Sequence, residues 1–143
     1  MFYQCWYLTS GPSILPASRV PFQAYASMFD GCSRLVNAPQ LPATELDDLC
    51  YALMFRSCSK LTGITLPATT LAYCCYYQMF YGCLNISYVD VSFTDWNYNG
   101  EVVSEDWFGL HAGDSGGTFR KPSALQTKRG TSYIPSNWTV QNK

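Results

Sequence analysis

Apolar residues along this chain recur at a long period rather than at the two- or fourfold spacing of a single strand or helix. Four segments align on Met-Phe-x-x-Cys: Met1-Phe2-Tyr3-Gln4-Cys5, Met28-Phe29-Asp30-Gly31-Cys32, Met54-Phe55-Arg56-Ser57-Cys58 and Met79-Phe80-Tyr81-Gly82-Cys83. The cysteines lie 27, 26 and 25 residues apart, and an aliphatic residue follows each at the third position (Leu8, Leu35, Leu61, Ile86). Leu-Pro-Ala recurs at Leu15-Pro16-Ala17, Leu41-Pro42-Ala43 and Leu66-Pro67-Ala68, and Ala24-Tyr25, Cys50-Tyr51 and Cys75-Tyr76 stand before the next Met-Phe. A unit this short cannot bury its own apolar face, so it must stack on its neighbours as a solenoid.

Within a unit the pattern predicts two elements. Leu61–Leu66 mixes apolar and small residues and stops at a proline, as a strand does; Ile86–Phe93 reads the same way. Leu71, Cys75, Met79 and Phe80 fall at helical spacing, with Thr69 or Thr70 as cap and Gly82 as stop. The predicted fold is therefore an α/β repeat solenoid with one short parallel strand and one short helix per unit. Its units are 1–27, 28–53, 54–78 and 79–93, and 94–143 forms a β-rich C-terminal cap of the same domain, with strands around Val102-Val103, Gly117–Phe119 and Trp138–Val140. The repeat core is expected at Phe29, Cys32, Leu35, Phe55, Cys58, Leu61, Leu66, Phe80, Cys83 and Ile86.

These residues resemble the bacterial surface leucine-rich repeats of the BspA type, in the variant common in gut bacteria and their phages. That variant runs Met-Phe-x-Gly-Cys-x-x-Leu, then Ala-Pro-x-Leu-Pro-Ala-Thr, then Cys-Tyr. Leu35 to Gly82 carries it nearly complete through Ala38-Pro39, Leu41-Pro42-Ala43-Thr44, Leu66-Pro67-Ala68-Thr69 and Tyr81-Gly82, and Gly117-Thr118-Phe119 with Arg129–Pro135 and Trp138-Thr139-Val140 resembles the segment that ends such arrays. The resemblance implies a leucine-rich-repeat architecture and adhesion or recognition at a bacterial cell surface. Two departures stand out. The first unit has Gln4 for Gly and Ala24 for Cys, and no capping segment precedes it. Its N-terminal coil is expected to pack on a partner, either a second copy or preceding repeats.

Charge narrows the partners. Nine Lys and Arg against ten Asp and Glu give a net charge of −1, which offers no grip on nucleic acid, an anionic membrane or an acidic substrate. Aromatics at 16% and eleven tyrosines leave shape and apolar contact as the means of recognition. The uncharged stretch Leu61–Val89 is interrupted by Thr, Pro67, Gln78 and Asn85 and is no membrane span, and the start lacks the basic and apolar regions of a secretory signal. An adhesin is poorly explained without an export signal, so the alternative is a structural or receptor-binding component of a phage virion or other assembly.

Candidate chemistry adds little. The seven cysteines form no Cys-x-x-Cys pair, and the period places Cys5, Cys32, Cys58 and Cys83 in an inward ladder. Ladder spacing favours buried thiols over a disulfide, such as one at Cys74, or a metal site. Gly113-Asp114-Ser115-Gly116-Gly117 matches the nucleophile motif of chymotrypsin-like proteases, but the single His111 stands four residues from Ser115 and the chain is too short for two barrels, so a turn is the expected reading. No enzyme activity, cofactor or metal is expected. Asn85-Ile86-Ser87 and Asn137-Trp138-Thr139 match glycosylation acceptors without an assigned role, and Asp47-Asp48 and Glu105-Asp106 sit in polar turns. Tyr25, Tyr51 and Tyr76 hold equivalent positions and are expected to pack between coils with hydroxyls at the rim; Tyr73, Tyr77, Tyr81 and Tyr88 are the candidate binding residues for a protein or glycan.

Overall fold

The computed structural model describes all residues 1–143. It is a parallel β-solenoid of about five turns without a helix. Strands β1 (Arg19–Val20) and β2 (Glu45–Leu46) pair in parallel on one face, and Thr70 bridges to Glu45 beside them. On the other face β3 (Gly63–Leu66), β4 (Tyr88–Val91), β7 (Thr118–Lys121) and β8 (Thr139–Asn142) form one parallel sheet in that order. Between them β5 (Asn97–Tyr98) and β6 (Glu101–Val102) make a hairpin closed by Asn99 and Gly100, both at positive φ as a two-residue turn of this kind requires. The Met-Phe repeat fades after 93, yet β7 and β8 extend the same ladder, so each later strand stacks on the one before it.

The helix expected over Leu71–Phe80 is absent, which corrects the α/β description. In its place each unit lays down a ribbon of consecutive turns, with every fourth residue left-handed: Gln23, Ser27 and Gly31 in one coil, Leu49, Leu53 and Ser57 in the next, Cys74, Gln78 and Gly82 in the third. Gly82, read as a helix stop, is one of these positions, at φ +75°. Half of the ribbon's N–H groups close turns within the coil, as Met54 N–H does on Tyr51 O at 3.1 Å. The alternate ones donate to the next coil: Leu49, Tyr51, Leu53, Phe55 and Ser57 to the carbonyls of Tyr73, Cys75, Tyr77, Met79 and Tyr81. A ten-residue helix of Cys, Tyr and Phe would be marginal by itself, because these residues have modest helix propensity and nucleation is costly. The ribbon trades internal bonds for a rung to the neighbouring coil at every second residue, and those rungs offset the roughly 1 kcal/mol or more that a non-glycine residue spends in the left-handed region.

Stacking in register turns the repeat into columns. Phe2, Phe29, Phe55 and Phe80 stack face to face with centroids 5.3, 5.5 and 6.5 Å apart, and Tyr25, Tyr51 and Tyr76 do so at 6.0 and 6.1 Å. Phe29, Cys32, Leu35, Phe55, Cys58, Leu61, Leu66, Phe80, Cys83 and Ile86 are all buried. Beyond the last full repeat Phe93, Trp96, Trp107 and Phe119 fill the core with tilted and edge-on contacts in place of the columns. Two details depart from the expectation: Cys5, at the ladder position, is exposed, and the Tyr76 hydroxyl lies inside the core rather than at its rim.

Candidate recognition surface

The ribbon's outer edge carries one column of side chains from the position after Met-Phe: Tyr3, Asp30, Arg56 and Tyr81. Arg56 grips the nearly buried Asp30 carboxylate through two bonds, Nη2 to Oδ2 at 2.7 Å and Nε to Oδ1 at 3.1 Å. That contact raises the guanidinium pKa further, and the nearby Tyr3 and Tyr77 hydroxyls add to it. Tyr81 lies against Gly109, whose missing side chain makes room for it: a Cβ there would sit 2.6 Å from the ring. In the first coil Tyr7 stacks under Arg34 of the second at 4.9 Å, next to Trp6, whose carbonyl accepts from the Ser33 hydroxyl at 3.4 Å.

The expected binding residues divide. Tyr77 and Tyr81, both half-buried, stand four apart on one ribbon, and Tyr73, 46% exposed, opens that ribbon with its N–H donating to Asp48 Oδ1 at 3.0 Å. Tyr88 lies apart on β4 of the sheet, its hydroxyl donating to Asp90 at 3.4 Å. Asp90 is buried and also receives Arg120 at 3.1 Å and the Lys143 ammonium, so its polar role is internal. Sequence reasoning did not single out the exposed Trp6, 59% accessible, or the Tyr7–Arg34 contact, because pairing between coils is invisible without the register.

The protease-like motif has a structural setting. His111 Nδ1 pairs with Asp114 at 2.8 Å on the exposed surface, and the Ser115 hydroxyl makes no hydrogen bond. The neighbouring carbonyls are taken: Trp138 Nε1 donates to Gly113 O at 2.8 Å and Asn137 Nδ2 to Asp114 O at 2.7 Å. Gly117 packs directly on the backbone of Ser87.

The cysteines are all free thiols, and six of the seven are buried. Burial pushes the Cys75 thiol up to about 12 and those of Cys50, Cys58 and Cys83 further, so none offers a thiolate near neutral pH. No group of three or more His, Cys, Asp or Glu side chains is placed to hold a metal ion, and no helix is long and apolar enough to cross a membrane.

The largest cleft, about 370 Å³, opens on the sheet face between the second coil at Ala38–Pro42 and the third at Gly63–Pro67. A shallower depression on the opposite face is flanked by Phe22 and Tyr98. No protein-family model matches this chain, and no curated protein or solved structure is significantly similar to it.

Proposed function

We propose that this chain is a non-enzymatic recognition module that holds an aromatic surface on a rigid ladder and presents it to a protein or glycan at a bacterial cell surface. The carrying observation is the set of tyrosines and a tryptophan that the core does not consume. Tyr3, at 54% accessible, lies with Tyr77 near Arg56, and Trp6 at 59% and Tyr7 at 77% accessible follow Tyr3 in the same coil and meet Ser33 and Arg34 of the next. Such side chains offer large contact area at low entropic cost, and the backbone rungs beneath them hold their positions. A near-neutral net charge favours a partner read by shape. The resemblance of the Met-Phe-x-x-Cys and Leu-Pro-Ala-Thr units to BspA-type surface repeats supports the cell-surface setting and the leucine-rich-repeat assignment.

The test is binding of the full chain to a glycan array and to purified extracellular-matrix proteins, compared with a variant carrying Trp6→Ala, Tyr77→Ala and Tyr81→Ala. The expected result is a ligand whose affinity falls about tenfold or more in the variant, which is about 1.4 kcal/mol, with the melting temperature of the fold retained. Unchanged affinity would move recognition off the ribbon. Binding only to the chain's own copies would favour the assembly component instead.

A further inference from the structure

The net charge of −1 averages over an uneven surface. Five bases are held elsewhere: Arg56 on Asp30, Arg120 and Lys143 on Asp90, and Lys121 and Arg129 on carbonyl oxygens of the C-terminal cap. Around the depression between Phe22 and Tyr98 the balance runs the other way. Arg19 is the one base bonded to a carboxylate there, to Asp47 at 2.9 Å, and it faces Glu45 across the β1–β2 pair. Asp48, Glu101 and Glu105 have no cationic partner.

The register gathers these groups. Phe22, Asp48 and Tyr73 each precede the first left-handed residue of their ribbon, Gln23, Leu49 and Cys74. Rungs from Gln23 N–H to Asp48 O at 3.2 Å and from Leu49 N–H to Tyr73 O at 2.9 Å stack the three positions, so Asp48 stands between two exposed aromatic residues. Asp48 Oδ1 accepts the Tyr73 N–H at 3.0 Å, and its Oδ2 takes no hydrogen bond from the protein. In the next coil Tyr98 lies directly opposite Glu101 across the hairpin. The Cys74 thiol is raised by burial and, beyond that, by Glu105, Glu101 and Asp48, so all three carboxylates act at one place. Between Phe22 and Tyr98 the groove has a volume of about 290 Å³ and an apolar floor of Leu46, Leu71 and Ala72.

We infer that this groove, from Phe22 past Asp48 to Tyr98, is the docking site for a lysine- or arginine-bearing segment of a partner protein. The apolar floor and aromatic ends match the long aliphatic stem of such a side chain, and its charged head then reaches Asp48 or Glu101. The faces of the exposed Phe22, Tyr73 and Tyr98 add cation–π attraction. Carboxylates without counter-charges repel one another, and a cationic partner relieves that repulsion whereas a neutral glycan leaves it. Three coil steps of about 5 Å separate Phe22 from the hairpin, so the groove accommodates more than one basic residue of a chain. This inference rests on the recognition reading above: it selects a protein as the partner and adds a charged contact that continues from Tyr73, the residue that opens the ribbon of Tyr77 and Tyr81.

NMR titration of the isotope-labelled full chain tests it, with acetyl-tetralysine amide as probe. The same peptide acetylated on every Nζ is the control that keeps the stems and removes the charge. Tetralysine is expected to shift the Asp48, Ala72 and Tyr98 amides, less so as salt rises, and the acetylated peptide to leave them. Phe22→Ala and Asp48→Asn change exposed positions, and the asparagine still accepts the Tyr73 N–H; each is expected to weaken tetralysine binding about threefold. Equal shifts from the acetylated peptide overturn the recognition of charge. Shifts spread evenly to Asp95 and Asp114 overturn the groove, as does undiminished binding by Phe22→Ala. Shifts of the groove amides by cellotetraose but not by tetralysine assign the groove to a glycan and overturn the basic partner. No shift with any probe overturns the site, and ligand binding lost in the Trp6, Tyr77 and Tyr81 variant then still upholds the recognition reading. The contrast between the two peptides is made on the unmodified chain, so it decides the matter even where a variant does not fold.

Discussion

The Cys58 thiol donates to the carbonyl oxygen of Phe29, 3.1 Å away and one coil back, while that carbonyl also accepts the N–H of Cys32 at 3.0 Å. Cys32 does the same to Phe2 at 3.1 Å and Cys83 to Phe55 at 3.0 Å. The Met-Phe-x-x-Cys spacing thus serves two bonds: the cysteine's N–H closes its own turn, and its thiol reaches the second lone pair of the phenylalanine one coil earlier. Serine would be smaller and more polar at this fully buried site; cysteine combines a weak donor with the packing of a small hydrophobe.

Truncating this position separates core from surface. Cys58→Ala is expected to cost about 1–3 kcal/mol through the lost sulfur contacts and the freed Phe29 carbonyl, whereas Cys5→Ala, at the same repeat position but exposed, should stay within about 0.5 kcal/mol. Denaturant midpoints measure both. Equal losses would mean that the column does not point inward.

The same burial sets the response to base. Desolvation, with smaller contributions from neighbouring thiols at Cys50 and Cys58, keeps Cys50, Cys58, Cys75 and Cys83 protonated in the fold, where the unfolded chain ionises them near about 8.5. Their contribution is fully present below that value and is lost as pH rises beyond it, by about 1.4 kcal/mol per thiol per pH unit. Unfolding midpoints should therefore fall steeply between about pH 9 and 11. A thiol reagent at neutral pH should label Cys5 first and all seven cysteines only after unfolding, without reductant.

Tyr76 offers the opposite sign. Its hydroxyl is wholly buried without a hydrogen-bond partner, between Tyr51 and Phe93. Tyr76→Phe removes a desolvated polar group and keeps the ring stack, so it should stabilise the fold by about 1 kcal/mol or more, visible as a higher melting temperature. A loss of stability would show that the hydroxyl is bonded.

Within Gly113–Gly117 the glycine matters more than the serine. A Cβ on Gly117 would stand 2.7 Å from the Ser87 carbonyl carbon, a backbone atom that cannot move aside, so Gly117→Ala should cost about 3 kcal/mol or more. Ser115→Ala, exposed and unbonded, should change stability by less than about 0.5 kcal/mol. Stoichiometric labelling of Ser115 by a fluorophosphonate would overturn the non-enzymatic reading.

Much of the architecture was legible because stacking demands repetition. The period of Cys5, Cys32, Cys58 and Cys83, the Leu-Pro-Ala corners and the Tyr25, Tyr51 and Tyr76 positions already require coils in register with columns of like residues. The candidate site was less so. Tyr77 and Tyr81 could be placed side by side from spacing alone, but Tyr88 could not be assigned to another face, nor Trp6, Tyr7 and Arg34 to one patch, before the coil's path was known.

The sequence by itself therefore determined that the chain is a solenoid, how long each turn is, and which side chains form its columns, because unit length and inward apolar positions are properties of the repeat. Only the tertiary structure decided what lies opposite the strands. Leu71, Cys75, Met79 and Phe80 satisfy a helical spacing and the turn ribbon equally, since both bring every third or fourth side chain to one side. The choice rests on where the alternate N–H groups find acceptors, and for Leu49 through Ser57 those are carbonyls of the next coil, 25 residues or so along the chain and invisible to any local pattern.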